Sequence, residues 1–386
     1  METFMGYGRA DGSVGVRNHV VIIPSVSCAN GVAAAIARAV PGVKPLLHAM
    51  GCGRGGDDMT LHSRTFQNLC KNPNVGAVLV VGLGCEIVNA EGMALVAALA
   101  GRPHARLMIQ EEGGSRKTTA KGIEIAKEFL AQVRAVEREA FPLDKITLGL
   151  ECGGSDAFSG VTANPAVGKA SDWLVESGGK VILTETTEMI GTSHILERRA
   201  ANSEIAGRIK AVIESVEAKT HQVLGPMAKM AISPGNMDGG MSSIREKSLG
   251  CIIKGGTTRI NQVVEYAEIP SQQGLSIMHG PGYDTESLTG LAAAGSQVML
   301  FTTGRGNPIG FPIVPVIKIA STSKMYHALE DDMDLNAGAI LEGKSLDQMG
   351  DEIRQLILEV INGEQTRAEI NEQDGILCVY SQNTSF

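Results

Sequence analysis

Aromatic side chains make up only 4% of the 386 residues, with a single tryptophan, and basic residues number 34 against 42 acidic ones. The chain therefore offers few stacking platforms for bases. With a net charge of -8 and a pI near 5.6, it also lacks the basic footprint that binds phosphate backbones, so no nucleic-acid partner is expected. No apolar stretch reaches the roughly 18 to 20 residues of a membrane span, and Glu2 and Gly6 interrupt the start where a signal peptide would sit. No membrane association is expected, and the cytoplasm is the expected location. The seven cysteines are odd in number and include no CxxC pair, which argues against both a disulfide framework and a zinc knuckle.

What is plentiful is glycine, at 47 residues, placed between short apolar runs. This texture fits a Gly-rich α/β enzyme, and the length calls for about two domains. Gly6 to Asn18 reads as turn chemistry leading into the apolar run from His19 to Val26. Further strands are expected over 44–49, 76–83 and 106–110, with helices over 31–40, 61–71 and 115–139. The run GAVLVVGL at 76–83 is apolar throughout, as in a strand covered on both faces. The segment 141–144 reads as a linker. The expected architecture is two α/β domains with largely parallel sheets: a Rossmann-like first domain over 1–142, and a second over 143–386 with strands at 146–151, 180–184, 275–278, 298–301 and 314–319.

Polar residues gather at the carboxyl ends of these strands, where open α/β sheets place their chemistry. Cys28, Cys52, Cys85 and Cys152 each close an apparent strand. Four thiols along one edge would form a ligand set for a soft metal or an iron–sulfur cluster, with chance placement of buried thiols as the competing reading. His48, Asp57, Asp58, Glu86 and Asp156 stand beside them. Neutral imidazole can take a proton near pH 7, so His48 is the preferred general base, with Lys318 and Asp156 as rivals. Arg17, Arg54, Arg305 and Lys318 are cations suited to a carboxylate or sulfonate. Asn18, Ser155, Asn164, Asp284 and Thr303 supply further polar groups in the same loops. The Gly-rich loops also admit a nucleotide-dependent enzyme, but neither a placed GxGxxG nor a P-loop is present.

The segments GYGRADGSVGVRN, HAMGCGRGGDD, AVLVVGLGCE, LECGGSDAFSGVTANP, SPGN, KSLGC and LFTTGRGNP together resemble the altronate and galactarate dehydratase family, in order and over nearly the whole chain. The resemblance implies an iron-dependent lyase that performs β-elimination on a 2-hydroxy carboxylate, most simply dehydration of a sugar acid to a 2-keto-3-deoxy acid. It leaves open sulfite release from (2R)-sulfolactate, since the family includes the large subunit of that sulfo-lyase. Iron is then expected either as Fe2+ or as a 4Fe-4S cluster. The family's full-length dehydratases carry a small amino-terminal domain before the GYGR motif, here at residue 6. A separate small subunit and a homo-oligomeric assembly are accordingly expected.

Overall fold

The computed structural model describes residues 2–375 and 377–386. Strand β1 (Thr3–Gly8) forms an antiparallel hairpin with β2 (Val14–Gly15). Four parallel strands follow, β3 (His19–Pro24), β4 (Val43–Pro45), β5 (Val75–Gly82) and β6 (His104–Met108), in the order β4-β3-β5-β6. Strand β7 (Glu139–Pro142) then returns to pair antiparallel with β1. The rest of the chain builds a second, seven-stranded parallel sheet from β8 (Thr147–Cys152), β9 (Lys180–Leu183), β10 (Ile260–Val264), β11 (Gly274–Met278), β12 (Val298–Thr303), β13 (Val316–Ala320) and β14 (Leu335–Asn336). Its order is β10-β11-β9-β8-β12-β13-β14. The expected α/β class with largely parallel sheets is thus what forms.

The strand side-chain period of two decides how the four-stranded sheet is covered. Val20, Ile22, Leu79 and Val81 face the helices Asn30–Ala39 and Ser115–Arg134 through Ala33, Ile36 and Phe129. Val21, Ile23, Val78 and Val80 face the other way, onto Leu61, Phe66 and Met93 of the helices Gly56–Cys70 and Ala90–Leu99. That second core is shared with Met299 and Phe301 of the large sheet and with Leu288 and Leu291 of the helix Asp284–Ala293. Among the described residues no helix is long and apolar enough to cross a membrane.

Two readings change. The stretch expected to be turn and the stretch expected to be linker are partly strand, with Phe4 and Phe141 packed together across β1 and β7. Gly15 is there for close approach: a Cβ at that position would lie 2.3 Å from the Pro73 carbonyl oxygen. The carboxyl-terminal segment, assigned by sequence to the second domain, also packs against the first. Glu369 pairs with Arg17 at 2.8 Å, Leu377 bridges to His48, and the Asp58 carboxylate accepts the Gln382 and Asn383 amides.

Asn74 joins the units. Its Oδ1 accepts the amides of Val16 and Arg17, and its Nδ2 donates to the carbonyls of Gln297 and Ile313, all within a fully buried site. Replacing it with alanine strands buried polar groups at about 1–3 kcal/mol each. Asn74→Ala is expected to cost about 3 kcal/mol or more, read as a lower urea midpoint; a change under about 0.5 kcal/mol would contradict this account.

Candidate active site at the carboxyl edge of the large sheet

The large sheet reverses its strand order between β8 and β12, the position where open α/β sheets bind ligands. The loops leaving these two strands are tied together: Gly153 N donates to Thr302 O, and the Gly304 and Arg305 amides share the Gly154 carbonyl at 2.9 Å each. Beside them lies a cavity of about 320 Å³, walled by Gly153, Gly154, Glu188, Ser233, Lys247 and Asp284 among others.

Two carboxylates from the turn after β9 and two lysines from the segment Ile244–Gly255 meet at the end of β8. Glu185 is held in a left-handed backbone conformation, φ 67°, unusual for a residue with a side chain. Its Oε2 accepts the Cys152 amide at 3.0 Å and the Lys254 ammonium at 2.7 Å, and both side chains of that ion pair are 1% exposed. Glu188 pairs through Oε1 with Lys247. Its Oε2 accepts the thiols of Cys152 at 2.9 Å and Cys251 at 2.7 Å, and the two sulfurs are 3.2 Å apart.

The electrostatics follow from burial set against pairing. Burial, aided by the neighbouring Glu188 charge, lifts Glu185 to about 7 against the pull of Lys254. For Glu188 burial also acts upward, but Lys247 and Lys254 outweigh it and hold the carboxyl below its ordinary value. Burial pushes the Cys152 thiol well up, and Cys251 adds to this. For Lys254 burial is overcome by its anionic neighbours, and the ammonium is held well above the usual range.

Lys318, on β13, behaves in the opposite way. Its Nζ is fully buried without a hydrogen-bond partner among the described residues, 3.3 Å from the centroid of the Phe301 ring. Burial lowers it to about 7, despite Asp284 and Glu151 nearby. The Phe301 ring abuts Gly153, and Asp284 Oδ2 accepts from Asn307 Nδ2 at 2.7 Å. Burial, then the Glu188 charge, raises Asp284. A carboxyl group therefore faces the cavity with a titratable amine behind it.

The residues singled out by sequence divide. Asp284 walls the cavity, Lys318 lies on the Phe301 ring that abuts the wall residue Gly153, Cys152 joins the thiol–carboxylate group, and the exposed Arg305 packs its stem on Gly154. Ser155 lies two residues beyond the wall glycine Gly153 and donates to its carbonyl, while Thr303 accepts the Gly306 amide. Others are occupied by structure. His48 has Nε2 on the Pro24 carbonyl at 2.7 Å and Nδ1 on the Met50 amide at 3.1 Å, and burial lowers it to about 4. Both ring nitrogens are thus committed, which removes the preferred base. Asp156 accepts from Phe158, Ser159 and Ser321 and fastens its own turn. Asn164 bridges Gly250 and Thr302, Arg17 binds Glu369, Asn18 joins Arg9 to Val133, and Arg54 holds the Asn383 carbonyl.

The four thiols expected on one edge lie on two sheets: Cys28, Cys52 and Cys85 follow β3, β4 and β5, whereas Cys152 closes β8. The donors that do converge are Cys152, Glu188 and Cys251, mutually within 4.8 Å. This set fits a soft divalent ion, because exchanging two thiol protons for the ion leaves the group's charge unchanged. Glu185, Glu188, Lys247 and Lys254 went unread in the sequence; the signal available was Glu185 standing just past the apolar run of β9, and the KSLGC segment.

Residues 143–384 match the D-galactarate/altronate dehydratase carboxyl-terminal family model, and residues 6–134 match the model of the second domain of D-galactarate dehydratase/altronate hydrolase. Altronate dehydratase of Bacillus subtilis is 37% identical over 96% of this chain and 76% of its own length. Galactarate dehydratase (L-threo-forming) of Escherichia coli is 36% identical over 94% and 73%. The (2R)-sulfolactate sulfo-lyase subunit beta of Chromohalobacter salexigens is 34% identical over 95% of this chain and 94% of its own. With the two family models covering nearly all of it, the chain belongs to the D-galactarate/altronate dehydratase family and is an enzyme of the lyase class.

Proposed function

We propose that the chain eliminates water from the β-position of a 2-hydroxy carboxylate, a sugar acid of the altronate or galactarate kind, in the cavity at the β8/β12 switch point. The observation that carries this reading is a cavity walled by both Asp284 and Lys247, with the buried, unbonded Lys318 amine near enough to feel the Asp284 charge. Lys247, with Arg305 at the rim, receives the substrate carboxylate. Asp284 takes the proton α to it, and Lys318 behind it accommodates the changing charge. A C–H next to a carboxylate is a very weak acid, so the enediolate needs fixed positive charge in a water-poor site, which Lys247 and Lys254 provide. Iron held by Cys152, Glu188 and Cys251 would supply Lewis acidity to the substrate oxygens. We propose also that the chain works with a partner subunit.

Sulfite elimination from sulfolactate is the second reading, favoured by the match over 94% of the sulfo-lyase subunit. Departing hydroxide needs a proton, which the α-proton captured by Asp284 would supply, so that water leaves and the site's protonation is restored; departing sulfite does not need one. Incubation with altronate, galactarate and sulfolactate separates the two by product, a 2-keto-3-deoxy acid on one side, pyruvate and sulfite on the other. A sugar-acid product is expected, and turnover of none of the three would sink both readings.

The Lys318 amine gives a pH test. Its folded value of about 7 lies below the ordinary lysine value of ~10.4, so above about 7 it is neutral and able to take the proton on from Asp284. Activity should rise with pH through about 7. Lys318→Met should remove that limb and lower kcat by about 100-fold or more. The unfolded chain binds more protons than the folded one between the two values, so the wild type gains stability across that window as pH rises. Any stability advantage of the methionine variant should be full below about pH 7 and shrink towards pH ~10. An unchanged profile in the variant would exclude Lys318 from the proton path.

A further inference from the structure

The helix Ser203–Leu224 carries an apolar stripe that outruns the core it serves. Ile205, Ile209, Ile213 and Val216 are buried at helical spacing, but two turns beyond Val216 the side chains of Val223 and Leu224 are 71% and 42% exposed. They face a cavity rather than a neighbouring element. Its volume is about 530 Å³, and it opens over Ile190, Val216 and Ile244, a small buried cluster of their own. That size and lining match a pocket for a small molecule, roughly 300–1,000 Å³ and mostly apolar.

A few polar groups enter the same space. The carboxyl-terminal segment forms one side through Tyr380 and Gln382, fixed there by the Gln382 amide, which donates to Asp58 Oδ1 at 2.6 Å. Lys219 Nζ donates to Tyr380 Oη at 3.3 Å and lies 5.7 Å from the centroid of that ring. His279 is held through Nδ1 to Thr186 Oγ1 at 3.0 Å, and its other ring nitrogen has no hydrogen bond among the described residues. Although the chain has a net charge of -8, the lining holds the Lys219 cation and no carboxylate among the described residues. Glu286 feels the Lys219 charge from outside that lining. An apolar body with an anionic head fits these walls, the body against Val216, Ile190 and Ile244 and the head against Lys219. A hydroxylated sugar acid does not, because its hydroxyls would be left unpaired on the aliphatic side.

This cavity and the elimination site have a wall in common. Thr187, Ala231 and Ile244 line both. Thr187 directly precedes Glu188, and Ile244 stands one turn before Lys247 on the helix Ile244–Cys251. A ligand that moves either wall residue therefore moves a partner of the buried ion pair. We propose that the cavity is an effector site for a small carboxylate with an apolar body, whose occupancy alters substrate binding on the other side of the shared wall. The binding half stands on the cavity alone; the coupling half rests on the elimination reading.

The test uses the full chain with phenylbutyrate, phenylbutanol and phenylbutylamine, three probes that share a body and differ in the charge of the head. By calorimetry the acid should bind once per chain and about ten-fold more tightly than the alcohol, and the amine should not bind. Lys219→Met, at an exposed position, should bring acid and alcohol within about two-fold of each other. Ser215→Trp, which fills the cavity from an exposed rim position, should weaken both about ten-fold. With the sugar acid that the chain turns over, phenylbutyrate should change KM by about five-fold and then level off, as coupling between two sites requires, and should have no such effect in Lys219→Met. Equal binding of the three probes, acid binding unchanged in Lys219→Met, a KM that climbs without a plateau as for a rival in the catalytic cavity, or a KM indifferent to saturating phenylbutyrate would overturn the proposal. Elimination without any binding of the acid would overturn it and leave the proposed function standing. Lysine-dependent binding in a chain that turns over none of the three substrates would sink the proposed function and the coupling, and keep the binding site.

Discussion

Two lysines, two glutamates and two thiols are packed out of water at the end of β8, and the fold around them is shaped by the need to keep that group neutral. An isolated charge there would carry a desolvation cost of several kcal/mol. Each charge instead has a partner: Lys254 lies 2.7 Å from Glu185, Lys247 pairs with Glu188, and the thiols spend their protons on Glu188. The strained backbone of Glu185 is a consequence. In that conformation one carboxylate receives both the Cys152 amide and the Lys254 ammonium.

The same constraint couples the two sheets. The helix Gly56–Cys70 starts just after Cys52, and the helix Asp284–Ala293 starts at the cavity wall; the two pack together through Leu61, Phe66, Leu288 and Leu291 in a shared core. Asn72 Nδ2 donates to the Ala292 and Ser296 carbonyls, and Asn68 to that of Ala267. Polar clasps within an apolar core fix register, because any slip would strand a buried donor. The loop carrying Cys52 and the loop carrying Asp284 are thus held by one rigid body of packed helices.

The strands were legible because burial on both faces writes itself as unbroken Val, Leu and Ile, as in β5. The small antiparallel sheet was not, since its glycines serve close packing between β1, β2 and Pro73 while reading as turns. Asp284 and Cys152 were singled out from positions at strand ends, and Lys318 from an expected strand end that proves to be the middle of β13. Glu188, Lys247 and Lys254 were not, because what makes them notable is their meeting across some sixty residues of chain, and sequence spacing carries no trace of that. The choice of His48 failed for a related reason: an imidazole's availability depends on what its two nitrogens already bind, here Pro24 O and Met50 N. Spreading four cysteines along one edge assumed one sheet, and β6 completes the first parallel sheet before β8 begins the second.

Lys254 and Lys318 show what pairing decides. Both ammonium groups are buried to the same degree, yet one is driven well above the ordinary lysine value and the other down to about 7. Burial pushes both downward, so the difference lies in their partners. Lys254 touches Glu185, whereas Lys318 has an aromatic face and no hydrogen bond among the described residues. One site thereby holds a lysine that stays charged and a lysine that exchanges its proton near neutrality. Removing a proton next to a carboxylate requires both: a fixed charge to hold the anion that forms, and a base whose affinity for the proton is close to that of the surroundings.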